Sequence, residues 1–350
     1  MDRHNAIPTI VTVLFAVVLA GCQSLDAAAG RNNPKMVPVV LSTTNDGRAP
    51  AFPDPEPVKA AASVSKAREL GAQGKWDEAL TEYERAIAEN PSLTTAYLGA
   101  GDIYRRQGDY AKAETRYGKA ASLEPANFDA QYLHGLTLQL LSRISDSVRA
   151  YLRALTIRPD DFNANLNLGT AYVQLGEPSE AIPYARKAVE LNPKDAPARI
   201  NLAAAYRDLG QHEAAIVELQ QAAELTELSE PLLLNLADSL GKIGRYEEMV
   251  NTLDQLVKTA PTAVACERSG FALFRLRRYS ESIAAFRRAI ELDPNHYPAL
   301  NGIGVCLINE WHFSGQTNNA AREEALESWR RSLQIERNQP RILEFIGRFQ

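Results

Sequence analysis

Prolines recur at one constant step along the middle of the chain, at Pro91, Pro125, Pro159 and Pro193 and again two steps on at Pro261, and the apolar positions keep the same step. Small residues stand in register at Ala79, Ala113, Ala181 and Ala215, at Ala86, Ala120, Ala154, Ala188 and Ala222, and at Gly101, Gly135, Gly169 and Ala203. Bulky residues fill the positions between, at Tyr97, Tyr104, Tyr110 and Tyr117 in one period and at Tyr172 and Tyr206 in later ones. A glycine marks the middle of most periods, at Gly74, Gly108, Gly176, Gly210 and Gly244. Each period therefore predicts two amphipathic helices joined by a glycine turn and stopped by a proline, which lacks the N–H donor a further helical turn requires.

The alternation of small and large residues follows from close helix packing. Two antiparallel helices approach only where Cβ atoms are small, so glycine or alanine belongs at the crossing and aromatics on its flanks. One hairpin buries too little apolar area to stand alone, and neighbours must stack to share a continuous core. These columns resemble the tetratricopeptide-repeat (TPR) family over about residues 57–349. The resemblance implies an all-α fold, an α-solenoid in which about eight helix-turn-helix repeats across residues 59–350 build a right-handed superhelix. Some positions depart from the pattern. Ser142, Ile144 and Ser147 replace glycine, an aromatic and alanine in the third repeat, which predicts looser packing there, and the fifth ends in Glu227 instead of proline. The sixth is slightly shortened, so Pro294 closes the seventh, which carries Tyr279, Phe286 and Ala289. The eighth opens with Leu300 and Gly304 and resumes at Ala325 and Trp329. Between them an insertion at about residues 309–322 is expected to place Trp311, His312 and Phe313 in a loop. Residues 340–350 read as a capping helix.

The chain up to Val58 follows another logic. Residues 6–19 (AIPTIVTVLFAVVL) are apolar, too short to span a bilayer comfortably, and preceded by a short polar start with Arg3. They run into Leu19-Ala20-Gly21-Cys22, which resembles the lipobox of bacterial lipoproteins. The resemblance implies a signal peptide over residues 1–21, a diacylated Cys22 at the mature N-terminus and residence in a bacterial cell envelope. Gln23 after the cysteine, in place of aspartate, points to the outer membrane facing the periplasm. Residues 22–58, rich in Ala, Asn, Asp and Pro with no apolar period, read as a disordered tether. As a flexible coil it would span roughly 30–35 Å.

Composition narrows the function classes. The chain of 350 residues is 45% hydrophobic and 23% charged, enough for a substantial core, and its formal net charge of -5 offers no general attraction to nucleic acid. No catalytic or metal-binding constellation emerges. His212-Glu213 lacks the second histidine of a zinc helix, because Ile216 stands there, and His134, His296 and His312 have no ligand partners at suitable spacing. Gly302-Ile303-Gly304 reads as a helix crossing, and Cys266 and Cys306 as buried thiols. The chain is expected to be no enzyme, with neither cofactor nor small-molecule substrate.

The family resemblance implies that the first helix of every repeat lines a groove that receives other proteins, and that the sixth position of a repeat faces it. Here that position holds Asn167, Asn201 and Asn235, whose amides could pair with the backbone of an extended peptide. Asp102, Arg105, Arg106, Arg207, Asp208, Asp238 and Lys242 are expected beside them, biasing the groove toward a mixed-charge ligand. A carboxylate clamp for a chaperone C-terminus is disfavoured, since Pro197 and Asn201 stand where basic residues would be needed. The sequence thus points to a membrane-tethered adaptor in envelope assembly, secretion, pilus biogenesis or cell-wall turnover. The alternative is a self-associating structural lipoprotein whose groove holds no ligand.

Overall fold

The computed structural model describes residues 58–350, and the expectations for residues 1–57, namely the signal peptide, lipidation at Cys22 and the tether, lie outside the described residues. The described residues hold 17 helices and no strand. They fall into two compact units, residues 58–211 and 212–350.

The first unit contains α1 (Val58–Ala72), α2 (Trp76–Glu89), α3 (Thr94–Arg106), α4 (Tyr110–Leu123), α5 (Phe128–Leu140), α6 (Ile144–Ile157), α7 (Phe162–Leu175), α8 (Pro178–Leu191) and α9 (Ala196–Asp208). Helices pair as hairpins, α1 with α2, α3 with α4, α5 with α6 and α7 with α8, and each hairpin packs on the next. The second unit contains α10 (His212–Leu225), α11 (Glu230–Lys242), α12 (Tyr246–Thr259), α13 (Ala263–Arg275), α14 (Tyr279–Leu292), α15 (Tyr297–Phe313), α16 (Asn319–Ile335) and α17 (Pro340–Phe349). There α11 pairs with α12, α13 with α14 and α15 with α16, and α17 packs on α16. The unit boundary falls between the two helices of the fifth period, so the eight predicted hairpins are all present as helix pairs in sequence.

Local chemistry sets the ends of these helices. The side chains of Asn127, Asp161 and Asp195, again one repeat step apart, accept the backbone N–H of Ala130, Ala164 and Ala198, capping α5, α7 and α9. The five mid-period glycines take left-handed backbone, with φ between 74 and 80°. Ser142 and Arg277 take the same conformation without glycine, at φ 59 and 62°, so the hairpin turn survives its loss. Nor is the third repeat loosened by Ser147, which is fully buried and turns its hydroxyl onto the carbonyl of Ile144 at 2.7 Å.

The crossings obey the volume argument. A Cβ on Gly101 would stand 2.7 Å from the Tyr117 ring, one on Gly135 2.8 Å from Tyr151, and one on Gly270 2.8 Å from Phe286. Gly302 and Gly304 are crossings too: their Cβ atoms would fall 2.4 Å from Phe286 and 2.2 Å from Trp329. Ala79, Ala113, Ala181 and Ala215 have no solvent exposure. Each large ring thus occupies the space left by a missing side chain one helix away.

The expected loop around Trp311 is instead helix. The insertion lengthens both arms of its hairpin, giving α15 and α16 17 residues each where α13 and α14 have 13 and 14, and the connection is residues 314–318. The extra turn is held by aromatic packing. Trp311 and His312 lie 6.2 and 5.9 Å from the Phe349 ring of α17, and Phe313 lies 5.7 Å from Tyr279. These ring contacts carry the helix on through Phe313, and the Ser-Gly-Gln-Thr-Asn run that follows makes the turn.

Candidate functional site

Successive first helices approach one another, α5 with α7 and α7 with α9 in the first unit, and α11 with α13 and α13 with α15 in the second, whereas second helices of neighbouring hairpins stay farther apart. Within each unit the wall of first helices is therefore the concave one.

In the first unit this wall is cross-linked by polar side chains. Asn167 on α7 donates through Nδ2 to the Tyr132 hydroxyl on α5 at 3.1 Å, and Asn201 on α9 donates to Thr170 Oγ1 on α7 at 2.7 Å. Both asparagines are fully buried, and neither Oδ1 meets a donor among the described residues. The amide N–H of each is thus engaged within the wall itself. The first helices come so close that each amide N–H is spent on the preceding helix while each carbonyl is enclosed without a partner. Gln139 extends the network, accepting from the buried Tyr151 hydroxyl at 2.9 Å and donating to Gln174 at 2.9 Å.

The charged residues of this wall are also held in place. The Tyr117 hydroxyl donates to Asp102 Oδ1 at 2.7 Å, and Arg105 Nε donates to the same hydroxyl at 3.3 Å. Burial raises the Asp102 carboxyl above its ordinary range, against the opposing pull of Tyr117, Arg105 and Arg106. Arg106 is exposed and lies 4.9 Å over the Trp76 ring. Arg207 is half-buried and Asp208 exposed at the end of α9, and both are engaged with neighbouring groups.

In the second unit Asn235, half-buried on α11, has its own contacts, as does the exposed Lys242, and Asp238 forms an ion pair with Arg268 of α13. Beside Arg268 stands Glu267, which sequence reasoning passed over. It is 5% exposed, has no hydrogen-bond or ion-pair partner among the described residues, and burial alone lifts its carboxyl pKa to about 7. A signal was present: the fifth position of successive repeats reads Leu98, Tyr132, Leu166, Ile200 and Leu234 before it turns to Glu267 and Asn301. Asn301 donates to Gln339 at 2.7 Å, and its Oδ1 is buried without a donor. Cys266 and Cys306 are buried free thiols, and burial pushes the Cys306 thiol up to about 12. Among the described residues no group of three or more His, Cys, Asp or Glu side chains is placed to hold a metal ion, and no helix is long and apolar enough to cross a membrane.

Comparison with known proteins agrees with this architecture. Models of the tetratricopeptide repeat match residues 64–128, 166–229, 232–263 and 263–296, and a TPR-repeat model matches residues 140–176, together more than half the chain. No curated protein matches. Among solved structures, a tetratricopeptide repeat protein from Parabacteroides merdae is 18% identical, with 72% of this chain and 100% of that one covered and a TM-score of 0.49. PilF of Pseudomonas aeruginosa is 18% identical over 58% of this chain and 93% of its own, with a TM-score of 0.47. PilW, described as a widely conserved type IV pilus biogenesis factor, is 22% identical over 59% and 96%, with a TM-score of 0.48. With hairpins, glycine crossings and family matches falling on the same residues, this chain belongs to the tetratricopeptide-repeat family.

Proposed function

We propose that this protein is a non-catalytic scaffold whose concave first-helix wall holds an extended segment of another protein, and that a lipid on Cys22 keeps it at a bacterial envelope membrane. One observation carries the binding half of this reading. Asn167 and Asn201 keep their carbonyl oxygens enclosed and without donors at the same register of adjacent first helices. An enclosed acceptor left unpaired costs about 1–3 kcal/mol, more than a core leucine at the same place would. A backbone N–H from a bound strand would satisfy such an acceptor, and every strand offers N–H groups at regular intervals whatever its sequence. Entry requires α5, α7 and α9 to part slightly, so binding and loosening of the asparagine braces are one event. The lipobox after an apolar segment supports the membrane half, and the role fits envelope assembly, secretion, pilus biogenesis or wall turnover.

The test compares native chain with an Asn167→Ala, Asn201→Ala, Asn235→Ala variant in crosslinked purification from membranes, with circular dichroism confirming that the variant folds. One specific protein lost from the variant supports capture by the wall. An unchanged set of partners removes the asparagines from the binding surface, and a mass that rises with concentration with no partner at all supports self-association instead. A Cys22→Ser chain that stays with the membrane fraction would remove the anchor from the account.

A further inference from the structure

We propose that the concave wall of the second unit takes a basic side chain of the bound partner, an arginine or lysine, on Glu267 and Asn301. The proposal rests on the reading of the wall as a peptide-binding surface and adds what kind of peptide it selects.

Glu267 and Asn301 occupy one register position in consecutive repeats, on α13 and α15, two first helices that pack against each other. In the five preceding repeats that position is aliphatic or tyrosine, without a charge. Here it becomes two acceptors with nothing to accept. Glu267 is 5% exposed, with no hydrogen bond or ion pair to its carboxyl among the described residues, and Asn301 Oδ1 is enclosed without a donor. The charges that could have served are committed elsewhere. Arg268, the next residue, pairs with Asp238 on α11, and Arg275 stacks 4.5 Å over the Tyr246 ring. From α15 the facing titratable group is Tyr297, which is itself affected by Glu267 and by Glu336 beyond it. A hydroxyl or an apolar ligand would leave a buried carboxylate unneutralised. A guanidinium or ammonium supplies both the charge and several N–H donors, and a planar guanidinium can serve both oxygens of the carboxylate.

The carboxyl is held near neutrality by burial alone, so a cation arriving at pH 7 also drives off its proton. That gives the experiment two readouts. The full chain is titrated calorimetrically with acetyl-Ala-Ala-Arg-Ala-Ala-Ala-amide and with its citrulline twin, which has the same shape and no charge, in buffers of different ionisation heat. The arginine peptide is expected to bind about tenfold or more tightly than the citrulline peptide, as a charge-assisted contact to a desolvated carboxylate should. Its binding at pH 7 should release protons, and that of the twin should not. In Glu267→Gln, which is expected to fold at least as stably as the native chain at neutral pH, the preference and the proton release should both disappear.

Equal affinity for the two peptides, or a preference that survives in Glu267→Gln, overturns the cation site. The underlying reading fails in a different way. Side-chain amide resonances of Asn167 and Asn201 that stay fixed while a Glu267-dependent arginine preference persists would leave the cation site standing and remove the asparagine braces from peptide capture.

Discussion

Glu267 makes the stability of the second unit depend on pH in a way that one substitution should abolish. Its carboxyl has an ordinary pKa of 4.5 and a folded-state pKa of about 7, raised by burial. A carboxyl with a raised pKa binds its proton more tightly in the folded chain, so folding is penalised once the unfolded chain ionises and the folded one does not. The penalty is absent below pH 4.5, grows as pH rises, and is complete above about pH 7. The rise from 4.5 to about 7 corresponds to about 3 kcal/mol. Glu267→Gln keeps the shape and removes the charge. The variant should match the native chain at pH 4 and exceed it by up to about 3 kcal/mol at pH 8. Urea unfolding followed by tryptophan fluorescence reads the right unit, since Trp311 and Trp329 lie in the second unit and Trp76 alone in the first. The difference between the two chains cancels the titration of every other carboxylate. A difference that stays flat from pH 4 to pH 8, or a variant less stable at pH 8, would show that Glu267 is solvated or paired in solution and would refute the argument.

Two further outcomes follow from the packing. Gly304→Ala should destabilise the second unit by about 1–3 kcal/mol, visible as a lower urea midpoint, because its Cβ would stand 2.2 Å from the indole Nε1 of Trp329, a ring with no solvent exposure; an unchanged midpoint would mean that the crossing has slack. In a Cys22→Ser chain, Cys266 and Cys306 should ignore a thiol reagent at pH 8 in the native state and both react in denaturant, since burial raises both thiol pKa values; labelling of either in the folded chain contradicts their enclosure.

Most of the hairpin architecture was legible because a repeat prints the same physical demand many times. The prolines after α2, α4, α6 and α8, the left-handed glycine turns and the small residues at the crossings each need a particular residue type, and each recurs at one spacing. The failures came where a residue must be judged by distance. Register placed Asn167 and Asn201 on the concave wall, but only the approach of α5, α7 and α9 decides whether their amides face an open groove or brace the neighbouring helix. The loop-forming residues after Leu307 make the turn only at 314–318, and the helical state of the residues before them depends on contacts of Trp311 and His312 with Phe349, farther along the chain. Glu267 is one of 43 acidic residues in the chain, and the single clue to it in the sequence is the column of aliphatic residues and tyrosine that it interrupts.

Site-specific photo-crosslinking decides whether partners lie on the concave wall. A benzophenone amino acid is placed at Arg105 or Arg207 on the first helices, and at the exposed Arg149 or Lys258 on the second helices, in the full chain. The account predicts one shared crosslinked partner from the first-helix positions and none of it from the second-helix positions. The same partner captured from Arg149 or Lys258 and not from Arg105 or Arg207 would contradict it.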